Sequence, residues 1–297
     1  MKVFVTGATG FIGSAVVAEL LQNGHSVLGL TRSEAGAQKL RASGAEVHHG
    51  SLEDLASLKA GAAAADGVIH LAFIHTFPGV FLAPSKDKKA ISALGEALAG
   101  TNKPLVVAGA IHAFRSGVLL TEDYTPNYAK VTRKSEEAVL SFGSRGVRAS
   151  VVRLPPTVHG DGDKGFVSWL VKSAKKRGQA VYVGDGKQRW AAVHRLDAAR
   201  LFRFIVENPE AHGVYHGVGD EGVPFGEIAE FIGRDQGVPT ASKSRWGAIR
   251  ALRFLGFLAS IDSPASSQRT QNTLGWKPEH PTLLEDFAAG VYKTPKP

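Results

Sequence analysis

Apolar residues fall along this chain in two patterns that alternate. Short solid runs, bounded by glycine, asparagine or polar residues, are Val3 to Thr6, His25 to Thr31, Gly44 to Gly50, Gly67 to Phe73, Lys103 to Gly109 and Val147 to Leu154. They have the length and β-branched content of buried strands. Between them apolar positions recur every three or four residues, as in Ser14 to Leu21, 86 to 99 and Asn127 to Phe142, which predicts helices. Asn23-Gly24 stops the first helix, and Ser51-Leu52-Glu53-Asp54 reads as a cap with acidic residues in the first turn of another. Strands and helices in this alternation imply right-handed crossovers and a parallel sheet. After Pro155-Pro156 the pattern changes. Gly-rich turns at 160–165 and 184–186 flank a helix near 166–177 and a strand at 180–183. Val193 to Asp197 starts a helix running to about Asn208, Val214 to Val218 reads as a seventh strand, and 219–297 as a smaller helical part.

The first strand runs into Thr6-Gly7-Ala8-Thr9-Gly10-Phe11-Ile12-Gly13 and then directly into a helix. Strand, glycine turn and helix start together suit a pyrophosphate, whose charge meets unpaired N–H groups and the positive end of the helix dipole. Gly7 is expected to allow the turn, Gly10 to let phosphates approach bare backbone, and Gly13 to bring the helix close to the strand. The spacing is G-x-x-G-x-x-G rather than G-x-G-x-x-G. Roughly 20 residues further on, where an NAD-selecting chain places a carboxylate on the ribose, stands Arg32 followed by Ser33. A guanidinium pairs with a 2′-phosphate, so NADP is favoured. NAD is the alternative, with Glu34 taking the ribose and Arg32 a surface residue.

The composition narrows the setting. An apolar share of 43% and a charged share of 21% over 297 residues describe a globular protein with a sizeable core. No cysteine is present, which excludes disulfides and thiolate metal sites, and the histidines, His48-His49 included, lack metal-ligand spacing. The most apolar long segment, near 248–261, is interrupted by Arg250 and Arg253, so no membrane span is expected. The first strand begins directly after Met1-Lys2, and a cytoplasmic location is inferred. The formal charge of +8 raises nucleic acid as a partner. Lys86 to Lys89, Lys172 to Arg177 and Arg245 to Arg253 are, however, short clusters that fit solvated helix faces, so neither nucleic acid nor membrane is expected. Trp190, Trp246 and Trp276 are expected in the core or in a pocket wall.

The glycine turn, the His70-Leu71-Ala72 strand end, the segment Arg153-Leu154-Pro155-Pro156-Thr157-Val158-His159-Gly160 and the stretch Val193 to Ala199 occur in an order that resembles the extended short-chain dehydrogenase/reductases, the NAD-dependent epimerase/dehydratase-like proteins. The resemblance spans nearly the whole chain. It implies an α/β fold, a Rossmann-type doubly wound parallel sheet over 1–155 completed by about 190–218. A smaller C-terminal α/β substrate part then comprises 156–189 and 219–297. It further implies cofactor contact by Gly7, Thr9, Gly10, Phe11, Ile12, Gly13 and Arg32, by Ser51 and Leu52 near the adenine, and by Leu71, Ala72, Phe73, Ala108, Gly109, Pro155, Thr157 and Val158. His112 and His159 become candidate substrate contacts, no metal is expected, and a homodimer is a family habit.

That family uses Ser or Thr with Tyr and Lys, the last two spaced Y-x-x-x-K on one helix face, where the ammonium lowers the tyrosine pKa. Here Tyr128 takes the tyrosine position, Thr132 stands in place of the lysine, and Gly109 in place of the serine. Lys130, Arg133 and Lys134 are rotated off the face of a helix that Tyr128 presents, and Tyr124 is a second tyrosine candidate. A protonated Tyr128 suits carbonyl reduction better than alcohol oxidation. The expectation is an NADP(H)-binding oxidoreductase acting on a carbonyl or alcohol of a small organic molecule. The alternatives are a catalytically silent NADP-binding sensor or regulatory protein and, third, a nucleotide-sugar epimerase or dehydratase. His194 is expected to pack the returning helix against the sheet.

Overall fold

The structure, a computed structural model, describes residues 1–73, 83–111, 117–131 and 133–293. His112 and Thr132, both singled out above, lie outside them. In chain order the N-terminal half contains β1 (Lys2–Thr6), α1 (Phe11–Gln22), β2 (Ser26–Thr31), α2 (Glu34–Ser43), β3 (Glu46–His49), α3 (Leu55–Ala63), β4 (Gly67–His70), α4 (Ala83–Leu98), β5 (Pro104–Ala110), α5 (Ser135–Leu140) and β6 (Arg148–Leu154). The remainder contains β7 (Thr157–His159), α6 (Phe166–Arg177), β8 (Ala180–Val183), β9 (Arg189–His194), α7 (Arg195–Glu207), β10 (Gly213–His216), β11 (Asp220–Pro224), α8 (Phe225–Gln236), β12 (Thr240–Lys243), α9 (Arg245–Leu252), α10 (Phe254–Leu258), α11 (Gln268–Leu274) and α12 (Leu283–Ala288).

Seven strands form one sheet in the order β10-β6-β5-β4-β1-β2-β3, every pairing parallel. The near-continuous apolar strands follow from this, because helices cover both faces. On one face Val3, Val5 and Ile69 pack with Val16, Leu20, Leu201, Phe202 and Ile205 of α1 and α7. On the other, Phe4, Val68 and Val107 pack with Leu58, Ile91, Leu94 and Val139 of α3, α4 and α5. The chain leaves this sheet after β6, and β10 returns as its edge strand beside β6. A second core gathers α6, α8, β8 and the C-terminal helices around Trp190, Phe225, Ile228, Leu283 and Phe287. Small sheets β11-β9-β7 and β12-β8 support it.

Several elements differ from the expectation. Asn127 to Phe142 is not one helix: a 3₁₀ turn spans Tyr128–Lys130 and α5 begins only at Ser135. Glu136 and Glu137 occupy its first turn, where the helix dipole favours carboxylates. The stretch before Arg195 is strand β9, and His194 ends it as the N-cap of α7. The 219–297 part includes two strands besides its helices. Trp190 and Trp276 are buried, but Trp246 is 80% exposed.

Candidate active site

The sheet order reverses direction between β1 and β4, so a crevice opens beyond their C-terminal ends. The glycine turn fills the β1 side of it. Gly7 has φ +70°, and a Cβ there would stand 2.8 Å from the Ala72 nitrogen, so the turn lies directly against the chain leaving β4. A Cβ at Gly13 would stand 2.0 Å from the Gly7 carbonyl oxygen. Only glycine lets α1 seat on the turn this closely. Gly10 donates its N–H to the Gly7 carbonyl at 2.9 Å and forms the N-cap of α1, with no side-chain cap among the described residues. The amides of that turn remain available to an anion.

Arg195, which sequence reasoning treated only as part of a helix start, crosses from α7 to this turn. Its guanidinium lies 4.8 Å from the Phe11 ring centroid, donates to the Asp161 carbonyl at 2.8 Å and reaches Ser14 Oγ at 3.3 Å. A fixed cation therefore stands at the uncapped end of α1. At the end of β2, Arg32 is exposed, Ser33 accepts from Gly36 N–H at 3.2 Å as the N-cap of α2, and Glu34 pairs with Arg41 at 2.7 Å. Glu34 is thus engaged along its own helix.

The residues expected to contact a dinucleotide all follow C-terminal strand ends on this edge. Ser51 and Leu52 come after β3, Leu71 to Phe73 after β4, Ala108 and Gly109 close β5, and Pro155 to Val158 follow β6. The Thr157 hydroxyl is buried with no hydrogen-bond partner among the described residues. A Cβ at Gly109 would meet Val151 Cγ2 at 2.7 Å, so a serine there would have to displace the packed interior of the sheet.

Beneath the crevice runs a polar chain. Thr6 Oγ1 meets His70 Nδ1 at 2.8 Å, His70 Nε2 meets Asp87 at 3.2 Å, and Ser135 Oγ donates to the other Asp87 oxygen. Burial pushes the Asp87 carboxyl up, but its hydrogen bonds and the charges of His70 and Arg133 outweigh that and hold it below the usual range. Arg133 closes the chain: it donates to Ser135 Oγ at 2.7 Å and to the Ala108 carbonyl at 2.6 Å, with its guanidinium 4.1 Å from the Phe73 ring centroid. Helical geometry had turned Arg133 away from the site. With α5 starting at Ser135, it instead reaches the end of β5. The signal that could have found it is Ser135-Glu136-Glu137, a helix-start pattern immediately after it.

Tyr128 does not share a helix face with a cation. Its hydroxyl donates to Glu136 Oε1 at 2.6 Å. Arg153 grips the same carboxylate through Nε at 2.8 Å and Nη2 at 2.6 Å, and its Nη1 lies 3.3 Å from His216 Nε2. Burial, with the hydrogen bond to Glu136 and its charge, drives the Tyr128 pKa well above its ordinary value. Tyr124 packs against the small apolar group of Ile111 and Leu120.

His159, expected to contact substrate, is fully buried, with Nδ1 2.6 Å from Asp286 and its ring edge against His194. It faces an interior cluster rather than an open surface. His194 Nδ1 accepts from Leu196 N–H at 3.3 Å and its ring stacks on His280. Burial lowers its pKa to about 4. Asp197 accepts from the amides of Glu279 and His280, so the β9–α7 junction anchors the C-terminal segment.

A glycine turn and bare helix end at the switch point of a doubly wound sheet define a dinucleotide-binding α/β protein. The profile of the NAD dependent epimerase/dehydratase family matches residues 3–218. An uncharacterized protein of Schizosaccharomyces pombe is 47% identical over 294 residues, covering 98% of this chain and all of that one. The 2-alkyl-3-oxoalkanoate reductase of Stenotrophomonas maltophilia is 27% identical over 263 residues, covering 82% of this chain and 78% of the reductase. Among solved structures, MoeE5 in complex with UDP-glucose and NAD superposes with a TM-score of 0.75 at 24% identity, covering 98% of this chain and 97% of that one. The chain belongs to the NAD-dependent epimerase/dehydratase family, an oxidoreductase family with the Rossmann-type fold seen here.

Proposed function

We propose that this protein is an NADP(H)-dependent reductase of a carbonyl in a small organic molecule. The observation that carries the reading is the turn in which Gly13 touches the Gly7 carbonyl and leaves the first amides of α1 uncapped. Those amides and Arg195 hold a pyrophosphate, and the exposed Arg32 meets a 2′-phosphate. The unpaired Thr157 hydroxyl, buried beyond β6, gains a partner when the cleft is filled. The bound cofactor supplies hydride. Arg133, held by Ala108 and stacked on Phe73, is the cation at the end of β5 that this chain offers in place of the family's lysine. Tyr128 stays a phenol at physiological pH, which suits reduction, where an alkoxide needs a proton, better than oxidation, where a phenolate must take one. The resemblance to a 2-alkyl-3-oxoalkanoate reductase supports the same direction.

A panel of ketones and 3-oxo compounds, followed by loss of reduced-nicotinamide absorbance with NADPH, tests the reading. Turnover is expected, falling by about 100-fold in Tyr128→Phe with little change in NADPH affinity, the loss typical of a missing proton donor. An unchanged rate in that variant removes Tyr128 from the mechanism. A second reading, a silent NADP sensor, draws on Tyr128 spending its proton on Glu136. Ligand binding without turnover on any compound would favour it.

A further inference from the structure

The sequence places the cationic clusters of α6 and α9 on solvated faces and predicts no membrane partner. The structure adds what lies between those cations. Among the described residues the strongly exposed aromatic side chains are Trp169, Trp246, Phe254 and Phe257, at 62%, 80%, 64% and 42% exposure, and all four sit on α6, α9 and α10. Residues 164–184 and 236–261, which carry these helices, hold nine of the 35 Lys and Arg and none of the 27 Asp and Glu. The rest of the chain has 26 cations against 27 acids, so the whole positive excess of this protein belongs to these two segments. Lys164, Lys172, Lys175, Lys176, Arg177, Lys243, Arg245, Arg250 and Arg253 make no ion pair among the described residues, although 19 such pairs occur elsewhere.

The two segments pack against one another. β8 and β12 pair in parallel, with Val183 opposite Lys243, and Phe254 of α10 packs on Phe166 of α6 at 6.5 Å between ring centroids. A Cβ at Gly256 would stand 2.2 Å from the Ala248 carbonyl oxygen, so α9 and α10 meet at bare backbone. Arg253, with φ +58°, makes the bend between them and leaves Phe254 and Phe257 outward. The Arg245 guanidinium lies 5.7 Å from the Phe257 ring centroid, interleaving cation and ring.

We infer that the α6–α9–α10 face docks on an anionic phospholipid surface. Rings of this size enter the boundary between headgroups and acyl chains, while lysine and arginine heads remain at the phosphates. Unpaired cations gain from the negative potential of such a surface, which attracts each of them. A second copy of the chain is disfavoured as the occupant, because two faces of the same charge repel. A nucleic acid would meet the cations but leave four large rings without bases positioned to stack on them. The inference is independent of the cofactor reading.

Co-sedimentation of the whole protein with vesicles tests it, at about 0.15 M salt, where long-range attraction is largely screened. Neutral phosphatidylcholine is compared with vesicles containing about 30% phosphatidylserine. Binding to the anionic vesicles is expected at least about tenfold tighter than to neutral ones. Tryptophan emission should shift to the blue, since Trp169 and Trp246 are exposed while Trp190 and Trp276 are already buried. The variants Trp246→Ala/Phe254→Ala and Lys175→Glu/Lys176→Glu should each lose about tenfold in anionic-vesicle binding with an unchanged far-ultraviolet spectrum. Equal binding to both vesicle types, or binding indifferent to both variants, overturns the inference. It is also overturned if the variants abolish self-association in sedimentation, or salt-sensitive binding to duplex DNA, while leaving vesicle binding intact.

Discussion

Replacing Glu136 by glutamine is the sharpest perturbation of the polar interior. The Glu136 and Arg153 side chains are 3% and 4% exposed, and Arg153 grips the carboxylate with two nitrogens. Glutamine keeps the shape but removes the charge, leaving a guanidinium in the interior beside His216, whose pKa burial lowers to about 4 so that it stays neutral. Breaking such a pair from one side costs about 3–5 kcal/mol, because the surviving charge is uncompensated. In a chain of this size that corresponds to a fall in Tm on the order of 10 °C. Glu137→Gln is the control: its contact with Lys134, at 3.6 Å and largely solvated, should contribute under about 1 kcal/mol. Urea unfolding followed by circular dichroism measures both. The Glu136→Leu/Arg153→Met double variant should recover most of the loss, since an apolar replacement leaves no stranded charge. The Tyr128 phenol should titrate lower in Glu136→Gln than in the parent, yet still above its ordinary value because burial remains. A Glu136→Gln loss below about 1 kcal/mol, or a double variant weaker than the single, would show that no uncompensated charge is left at Arg153.

Gly13→Ala should abolish dinucleotide binding in titration calorimetry while costing about 1–3 kcal/mol of stability, because α1 must retreat about 1 Å from the Gly7 carbonyl. Undiminished binding would show that α1 need not seat on the turn. For His194, the folded pKa of about 4 lies below the unfolded value of about 6.5, so between them the unfolded chain binds more protons. Stability conferred by the neutral ring is intact above about pH 6.5 and lost as pH falls toward 4, at about 1.4 kcal/mol per unit. His194→Asn keeps an N-cap acceptor and should flatten the acid limb of the stability–pH curve by about that slope. An identical slope in the variant would exclude His194 as a source.

The sheet was legible because its central strands are buried on both faces and read as solid apolar runs, and the glycine turn because Gly7 and Gly13 are dictated by backbone geometry. What sequence missed concerns how side chains meet across the fold. The run from Asn127 carries enough apolar residues to imitate one helix, and nothing local to Tyr128 announces that Glu136 will accept its hydrogen bond. The return of β10 beside β6 was expected, but the meeting of Arg153 on β6 with Glu136 on α5 was not. A helix through Arg133 would turn it off the Tyr128 face, but α5 begins only at Ser135. Nothing local to His159 announces its burial against Asp286, a partner 127 residues away. The sequence places the cations from Arg245 to Arg253 on a solvated helix face; it does not show the bend at Arg253 that leaves Phe254 and Phe257 outward.

Titration calorimetry with NADPH and NADH on the wild-type protein and Arg32→Asp decides the cofactor preference. The wild type should bind NADPH at least about tenfold more tightly than NADH, one charge-assisted contact's worth, and Arg32→Asp should remove or reverse the preference. Binding of neither nucleotide, or an NADH preference in the wild type, would contradict it.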